Sequence, residues 1–144
     1  MIELASTTTT SSAPPSAYFA RWIDHSSWSE WSPDTEWVVV DGPVQAGARG
    51  TIKPQGAPKA RFEITRLVQD ASYDDTTRFL GATMLFAHDA TPLDGGTELT
   101  VRVTMTGPLA GLWSRILGAD FGAGVVDDLH RLVHAVESDA AAKP

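Results

Sequence analysis

The sequence predicts an α+β domain in which an antiparallel β-sheet packs against a long C-terminal helix. Short segments with alternating apolar and polar residues follow one another through the middle of the chain, separated by turn residues. A helical pattern with spacings of three and four occupies residues 109–138. Consecutive strands joined by tight turns pair antiparallel, and helices segregated from the strands are typical of the α+β class.

The length and charge of the chain limit the classes of function that fit it. We interpret the 144 residues as one domain spanning 1–138, followed by a tail at 139–144. The formal net charge is −7 and no segment concentrates Lys and Arg, so we expect no nucleic-acid partner. The chain has no cysteine, which excludes disulfides and thiolate metal sites.

Hydropathy along the chain predicts no membrane span. No apolar run approaches the roughly 20 residues that a spanning helix needs. The N-terminal residues lack the basic region and apolar core of a secretory signal. We therefore expect a cytoplasmic protein.

A first strand and two short helices are predicted before residue 34. Residues 2–10 combine alternation with a run of β-branched threonines, which favours a strand. Ser12 is a candidate N-cap for the next helix, and the prolines at 14–15 fit its first turn. A second short helix covers 28–32 and ends before Pro33. The apolar face of the first helix consists of Tyr18, Phe19, Trp22 and Ile23.

Six further strands follow. The Asp-Gly-Gly sequence at 94–96 is a strong hairpin signal, and the last strand has the clearest alternation in the chain. The predicted strands cover residues 36–41, 48–54, 61–68, 73–80, 83–89 and 96–106.

The C-terminal segment is predicted to be a helix with one apolar face. Asp127, Arg131 and His134 fall opposite that face. The helix therefore needs a concave apolar surface to pack against, which the strands supply. Its apolar residues are Leu109, Leu112, Trp113, Ile116 and Leu117, then Val125, Val126, Leu129, Leu132, Val133 and Val136.

Three glycines interrupt this helical pattern. Because glycine lowers helix stability, Gly118, Gly122 and Gly124 predict two helical halves joined by a weakened or bent zone. Pro108 fits the first turn, where its missing N–H has no helical partner.

Short sequence motifs occur in an informative order along the chain. They are Ala13-Pro14 before Phe19, Trp22-Ile23-Asp24, the segment 28–33, Gly47 and Gly50, His88, and the segments 95–97 and 107–109. With the order of the elements, these motifs resemble the START/Bet v 1-like superfamily, specifically its bacterial polyketide cyclase/dehydrase and lipid-transport branch. The resemblance covers essentially the whole chain.

The resemblance implies a helix-grip fold, in which a curved seven-stranded antiparallel sheet wraps around the C-terminal helix and encloses a cavity. It also implies a small hydrophobic or aromatic ligand and no cofactor. By the family's layout, the cavity residues come from the first helices, the inward strand positions and the last helix. They are Trp22, Trp28, Trp31, Phe62, Ile64, Met84, Phe86, His88, Leu99, Val101, Val103, Trp113 and Phe121.

His88 is the candidate for chemistry in this cavity. It follows Met84 and Phe86 at a period of two, so the three side chains are expected to share the apolar face. One interpretation makes His88 a polar ligand contact or a general base that burial keeps neutral. The other makes it a core residue that hydrogen-bonds a neighbouring strand or Asp24. Both interpretations stay open at this point.

Tryptophans are the other candidates for ligand contact. The five tryptophans, Trp22, Trp28, Trp31, Trp37 and Trp113, are expected to close the cavity mouth and the core. Trp28 and Trp31 are also candidates for stacking against a planar ligand.

Metal binding and carboxylate catalysis have less support. Asp127, His130 and His134 have a spacing that can place three ligands on one helix face, but that face is predicted to lie in water, so we expect no metal. Four carboxylates show no paired spacing typical of acid–base catalysis: Asp24, Glu30, Asp41 and Asp120.

Binding of a small hydrophobic or aromatic molecule ranks first among the functions, because no dense polar cluster favours catalysis. One alternative is a cyclase/dehydrase-like enzyme with His88 as acid or base. Another is a protein-interaction module, like the co-chaperones of the superfamily. The sequence leaves the ligand open, and also whether the protein is a monomer or a homodimer.

Overall fold

The computed structural model describes residues 1–142 and contains the elements in the predicted order. The strands are β1 (Ile2–Ser11), β2 (Thr35–Val40), β3 (Arg49–Pro54), β4 (Ala60–Val68), β5 (Ser72–Phe79), β6 (Ala82–Leu93) and β7 (Gly96–Thr106). The helices are α1 (Pro15–Ile23), α2 (Trp28–Trp31), α3 (Ala110–Leu117) and α4 (Asp120–Ala142), with a 3₁₀ turn at His25–Ser27 before α2. Residues 143 and 144 of the predicted tail lie outside the described residues.

The strands form one antiparallel sheet of seven strands in the order β1-β7-β6-β5-β4-β3-β2. Every neighbouring pair is antiparallel, and the register shifts between Glu3 and Ala5, between Thr35 and Trp37, and between Ile64 and Arg66. Such bulges bend a strand and increase its twist, which curves the sheet. The predicted helix-grip fold is confirmed.

The C-terminal helix is divided at one glycine. Gly118 has a φ of +84°, a left-handed conformation that ends α3 before α4 begins at Asp120. Gly122 and Gly124 lie within α4, so the predicted interruption is confined to Gly118. Helix α4 continues to Ala142, beyond the predicted end at 138.

Close packing explains the glycine at position 122. A Cβ atom added there would lie 2.7 Å from the carbonyl oxygen of Leu4, so α4 rests directly on the backbone of β1 at this point. Further along α4, Leu129, Leu132 and Val136 are buried in the core. The polar residues Asp127, Arg131 and His134 are exposed, as predicted.

Two details of the local structure differ from the predictions. Ser12 does not cap α1, because Pro14 is the N-cap and no side chain caps this end. The Ser12 backbone N–H instead donates to Glu137 Oε2 on α4 at 3.0 Å. Strand β6 extends to Leu93 rather than ending near 89, because its hairpin with β7 pairs residues up to the turn, where Leu93 lies opposite Gly96.

Four apolar side chains predicted to face the interior are exposed instead. The exposed fractions are 37% for Leu109, 53% for Leu112 and 62% for Ile116, because the short helix α3 turns Ala110, Trp113 and Leu117 towards the core. Trp37 is 40% exposed on β2 and does not close the core.

Candidate functional site

The interior of the fold lies between the inner face of the sheet and helices α1, α2 and α4. The backbone of α4 approaches β1 and α2 most closely. Between α4 and strands β4 to β6, large side chains fill the space. This aromatic interior is the candidate site.

Aromatic rings of α1, the 3₁₀ turn, α2, β5 and β6 meet there. The ring centroid of Trp22 lies 5.4 Å from that of His88, and the centroid of Tyr73 lies 5.6 Å from His88. Trp28 contacts Tyr73 edge-on at 5.7 Å and lies 5.8 Å from Trp31. Edge-to-face and tilted contacts at these distances are the favourable geometries for aromatic pairs.

The structure divides the predicted cavity residues into two adjoining clusters. The first contains Trp22, Trp28, Trp31, Phe62, Ile64, Leu99 and Val101. The second contains Met84, Phe86, Val103, Trp113 and Phe121. The rings of Phe86 and His88 lie 6.4 Å apart and nearly parallel, so His88 stands beside both clusters. That these residues contact a ligand stays a prediction.

His88 is a neutral histidine with one nitrogen committed to the fold. Its Nδ1 lies 2.9 Å from the backbone carbonyl oxygen of Tyr73 on the neighbouring strand and donates a hydrogen bond to it. Burial lowers the pKa of His88 to about 4, so the imidazole is neutral near pH 7. Nδ1 carries the proton, which leaves a lone pair on Nε2. The predicted contact to a neighbouring strand is therefore present, whereas the Asp24 carboxylate accepts a hydrogen bond from Ser26.

Sequence analysis missed the polar side chains that β5 adds to this interior. Tyr73, Asp75 and Thr77 alternate along one face of β5, and all three are buried. The Tyr73 hydroxyl lies 2.8 Å from Nε2 of His25 on the 3₁₀ turn. The sequence contained a signal in the period-two spacing of these three residues, which the polar composition of the strand obscured.

Asp75 is a buried acid with an altered pKa. Its exposed fraction is 6%, and it lies opposite Ile64 of β4 and Phe86 of β6. Burial raises the pKa of Asp75 to about 7, an increase that hydrogen bonding to Tyr73 opposes only in part. Desolvation by burial likewise lowers the pKa of His25. The interior therefore holds two histidines whose pKa burial lowers and one acid, Asp75, that changes its protonation state near pH 7.

Two buried indole groups have donors that the described residues leave unused. Within residues 1–142, the Nε1–H groups of Trp22 and Trp31 have no hydrogen-bond partner. The Nε1–H of Trp28, in contrast, donates to the carbonyl oxygen of Trp22 at 3.2 Å. Buried polar groups in native proteins nearly always have partners, so these two donors are available to a bound molecule or water.

Partly buried rings mark the end of the interior near α3. Phe79 stacks on Trp113 at 4.9 Å, and Phe86 contacts Phe121 edge-on at 6.1 Å. The indole of Trp113 is anchored there, because its Nε1–H donates to the carbonyl oxygen of Leu80 at 2.8 Å. The four rings at this end are only partly buried, so this end of the interior lies near the surface.

Two open clefts lie away from the aromatic interior. One, of about 430 Å³, lies on β3, β4 and β5 beside Arg49, Arg61 and Arg78. The other, of about 580 Å³, lies between α1 and the end of α4 beside Pro14 and Asp139. Of the predicted cavity residues, only Phe62 lines either cleft. The predicted interior site therefore lies apart from these two clefts.

The candidate metal ligands on α4 are not gathered into a site. Asp127, His130 and His134 are exposed, and no group of three His, Asp or Glu residues within 1–142 is placed to hold a metal ion. We predict that neither zinc nor EDTA changes the melting temperature, because the folded chain offers the ion no preferred site. A thermal melt with each additive checks this, and a rise in melting temperature with zinc would contradict it.

A family model described as "Polyketide cyclase / dehydrase and lipid transport" matches residues 2–137. No curated protein matches the chain in sequence. Within the part that the structure describes, no helix has both the length and the apolar character that crossing a membrane requires.

Solved structures with the same fold share little sequence with the chain. Ara h 8.0201 is 19% identical with a TM-score of 0.71, over 92% of this chain and 96% of that one. The protein SA2116 from Staphylococcus aureus is 12% identical with a TM-score of 0.75, over 97% and 96%. The di-domain ARO/CYC StfQ of the steffimycin biosynthetic pathway is 15% identical with a TM-score of 0.75, over 94% and 51%. At these identities the likeness shows the fold alone.

Proposed function

We propose that the interior of this protein binds a small hydrophobic or aromatic molecule. The chain belongs to the polyketide cyclase / dehydrase and lipid transport family. The proposed wall consists of the aromatic side chains of α1, α2, β5 and β6 together with Phe121 of α4. Binding alone is sufficient for transport or sequestration of such a molecule.

One observation carries this proposal. Within residues 1–142, the aromatic interior combines apolar surface with two buried donors that lack partners, the Nε1–H groups of Trp22 and Trp31, beside a neutral His88 that donates through Nδ1. In a core that has only a structural role, polar groups are either fully hydrogen-bonded or absent, because each unpaired group costs about 1–3 kcal/mol. Ligand pockets, in contrast, are apolar walls with a few polar groups that orient the ligand.

The filled interior sets a condition on binding. Phe86, Trp113 and Phe121 are only partly buried, so their rings can move with less loss of packing than the fully buried Trp22. We therefore propose that the ligand enters at this end, near α3. A ligand present at 100 times its dissociation constant stabilises the folded state by about 2.7 kcal/mol, which offsets a modest rearrangement of the rings.

Binding of 2-naphthol tests the role of His88 in this function. We expect His88→Ala to weaken the affinity about tenfold, because the variant loses a ring of the wall that lies between Trp22 and Phe86. Equilibrium dialysis measures the affinity, and circular dichroism checks that the variant is folded.

His130→Ala is the matched control, because it removes the same side chain from an exposed position on α4. This control should bind 2-naphthol as the unchanged protein does. Equal affinities in His88→Ala and the unchanged protein would contradict the role given to His88.

An enzymatic role of the same interior is the second candidate. It is favoured by a neutral imidazole on β6 and by the Asp75 carboxyl group on the adjacent strand. Asp75 changes its protonation state near neutral pH, which suits general acid–base catalysis, and the neutral His88 can accept a hydrogen bond. This candidate requires a pH-dependent reaction that His88→Ala abolishes, whereas binding requires no turnover.

A further inference from the structure

We infer that Asp75 forms a polar subsite in the aromatic interior and recognises the hydroxyl group of an aromatic ligand. This inference rests on the proposed function and names the chemical class of its ligand, a hydroxylated aromatic molecule.

The position of Asp75 makes its carboxyl group unusual. The side chain lies on the same buried face of β5 as Tyr73 and Thr77, in the middle of the sheet. Its cross-strand neighbours are Ile64 and Phe86, which are both apolar. A carboxyl group in such surroundings loses its hydration and destabilises the fold unless another group compensates.

The described residues supply no cation that compensates for this loss. Within residues 1–142, no Lys, Arg or His lies within ion-pair distance of Asp75. The neighbouring Asp74 differs, because Arg66 lies 3.7 Å from its carboxylate and the backbone N–H of His88 donates to it at 3.3 Å. Asp74 therefore has structural partners, whereas Asp75 has none with a positive charge.

Tyr73 satisfies Asp75 only in part. Its hydroxyl group is shared with His25, whose Nε2 lies 2.8 Å away. A carboxyl group has about four acceptor positions, so most of the capacity of Asp75 stays unused. The pKa of about 7 is consistent with this, because adequate hydrogen bonding would have lowered it.

The hydrogen-bonding groups of the interior indicate which polar group of a ligand would fit there. The carboxyl group of Asp75 offers acceptor positions, and the indoles of Trp22 and Trp31 offer donors. A hydroxyl group complements both kinds, because it carries one donor and two acceptor lone pairs. An anionic ligand does not fit, because its charge would approach the carboxyl group of Asp75. The aromatic walls supply the surface for the remaining, apolar part of the ligand.

The experiment compares ligands that differ only in the polar group. We expect the unchanged protein to bind 2-naphthol about tenfold more tightly than naphthalene, which corresponds to one hydrogen bond to a charged or polar partner. 2-Methoxynaphthalene lacks the donor and should bind no more tightly than naphthalene, and 2-naphthoate should bind most weakly. Equilibrium dialysis measures all four affinities on the same protein, without any substitution.

Two variants then assign the preference to Asp75. Asp75→Val should bind naphthalene at least as tightly as the unchanged protein but lose the preference for 2-naphthol. Thr77→Val is the matched control on the same buried face and should keep the preference. The readout is the ratio of the affinities for 2-naphthol and naphthalene in each variant. A general loss of folded protein does not change this ratio.

The possible failures are distinguishable. A preference for 2-naphthol that survives Asp75→Val, or tight binding of 2-methoxynaphthalene, would overturn the subsite while leaving the proposed function intact. Failure of the unchanged protein to bind any of the four compounds would contradict the proposed function itself, and the subsite with it.

Discussion

Asp75→Asn is expected to stabilise the domain at about pH 8 and to leave its stability nearly unchanged at about pH 4. The direction follows from the pKa of Asp75, which is about 7 in the folded protein against an ordinary value of 3.8 for an aspartic acid. At pH values between 3.8 and about 7, Asp75 keeps its proton in the folded chain but has lost it in the unfolded chain. The stability of the unchanged protein therefore falls as the pH rises through this window.

The expected size of this effect is large. A difference of one pKa unit corresponds to about 1.4 kcal/mol, so the gain from Asp75→Asn has an upper limit of about 4 kcal/mol above pH 7. Asparagine has nearly the same shape and stays neutral, so it avoids the cost of burying a charge. His88 acts in the opposite direction, because its lowered pKa removes stability as the pH falls from about 6.5 towards about 4. That contribution is common to both proteins and cancels in the difference.

Urea unfolding of both proteins across this pH range measures the effect. Asp127→Asn is the matched control, because Asp127 is exposed on α4, and its stability difference should stay near zero at every pH. A constant difference between Asp75→Asn and the unchanged protein from about pH 4 to about pH 8 would contradict a buried, titrating Asp75.

Gly122→Ala should destabilise the protein by about 1–3 kcal/mol, although alanine is the better helix former. The added Cβ would lie 2.7 Å from the carbonyl oxygen of Leu4, and this neighbour is backbone of β1. Helix α4 must therefore move away from the sheet, which also widens the interior beside Phe121.

Gly124→Ala provides the control for this effect, because it lies two residues further along the same helix. A Cβ atom at position 124 would come no closer than 4.0 Å to its nearest neighbour, the carboxylate of Asp34. This substitution should stabilise the protein by up to about 1 kcal/mol through helix propensity. Thermal or urea unfolding measures both variants, and equal effects of the two substitutions would show that α4 does not rest on β1 at Gly122.

The order of elements could be predicted from the sequence because each element carries a local signal. Alternation marks the strands, glycine and proline mark the turns, and the spacings in α4 mark the helix that the sheet holds. The exposure of Leu112 and Ile116 could not be predicted in this way. Their spacing fits one apolar face, but the conformation of Gly118 sets where α3 ends and α4 begins, which decides which side chains reach the core.

The candidate site was predictable on its apolar side and not on its polar side. Trp22, Trp28 and His88 lie in the interior, where alternation and helical spacing placed them. Asp75 was missed because an acidic residue in a polar strand normally faces water. Its burial depends on the curvature of the sheet and on the aromatic side chains of α1 and α2, which are distant in sequence. The alternation of Tyr73, Asp75 and Thr77 is visible only once the inner face of β5 is known.

Native mass spectrometry of the protein tests the central claim most directly, with the denatured mass measured beside it. For the protein as purified, or after incubation with 2-naphthol, we expect an excess mass of one small molecule per chain that disappears on denaturation. His88→Ala should show less of this complex at the same ligand concentration. The absence of any excess mass, both as purified and with 2-naphthol, would contradict ligand binding in the interior.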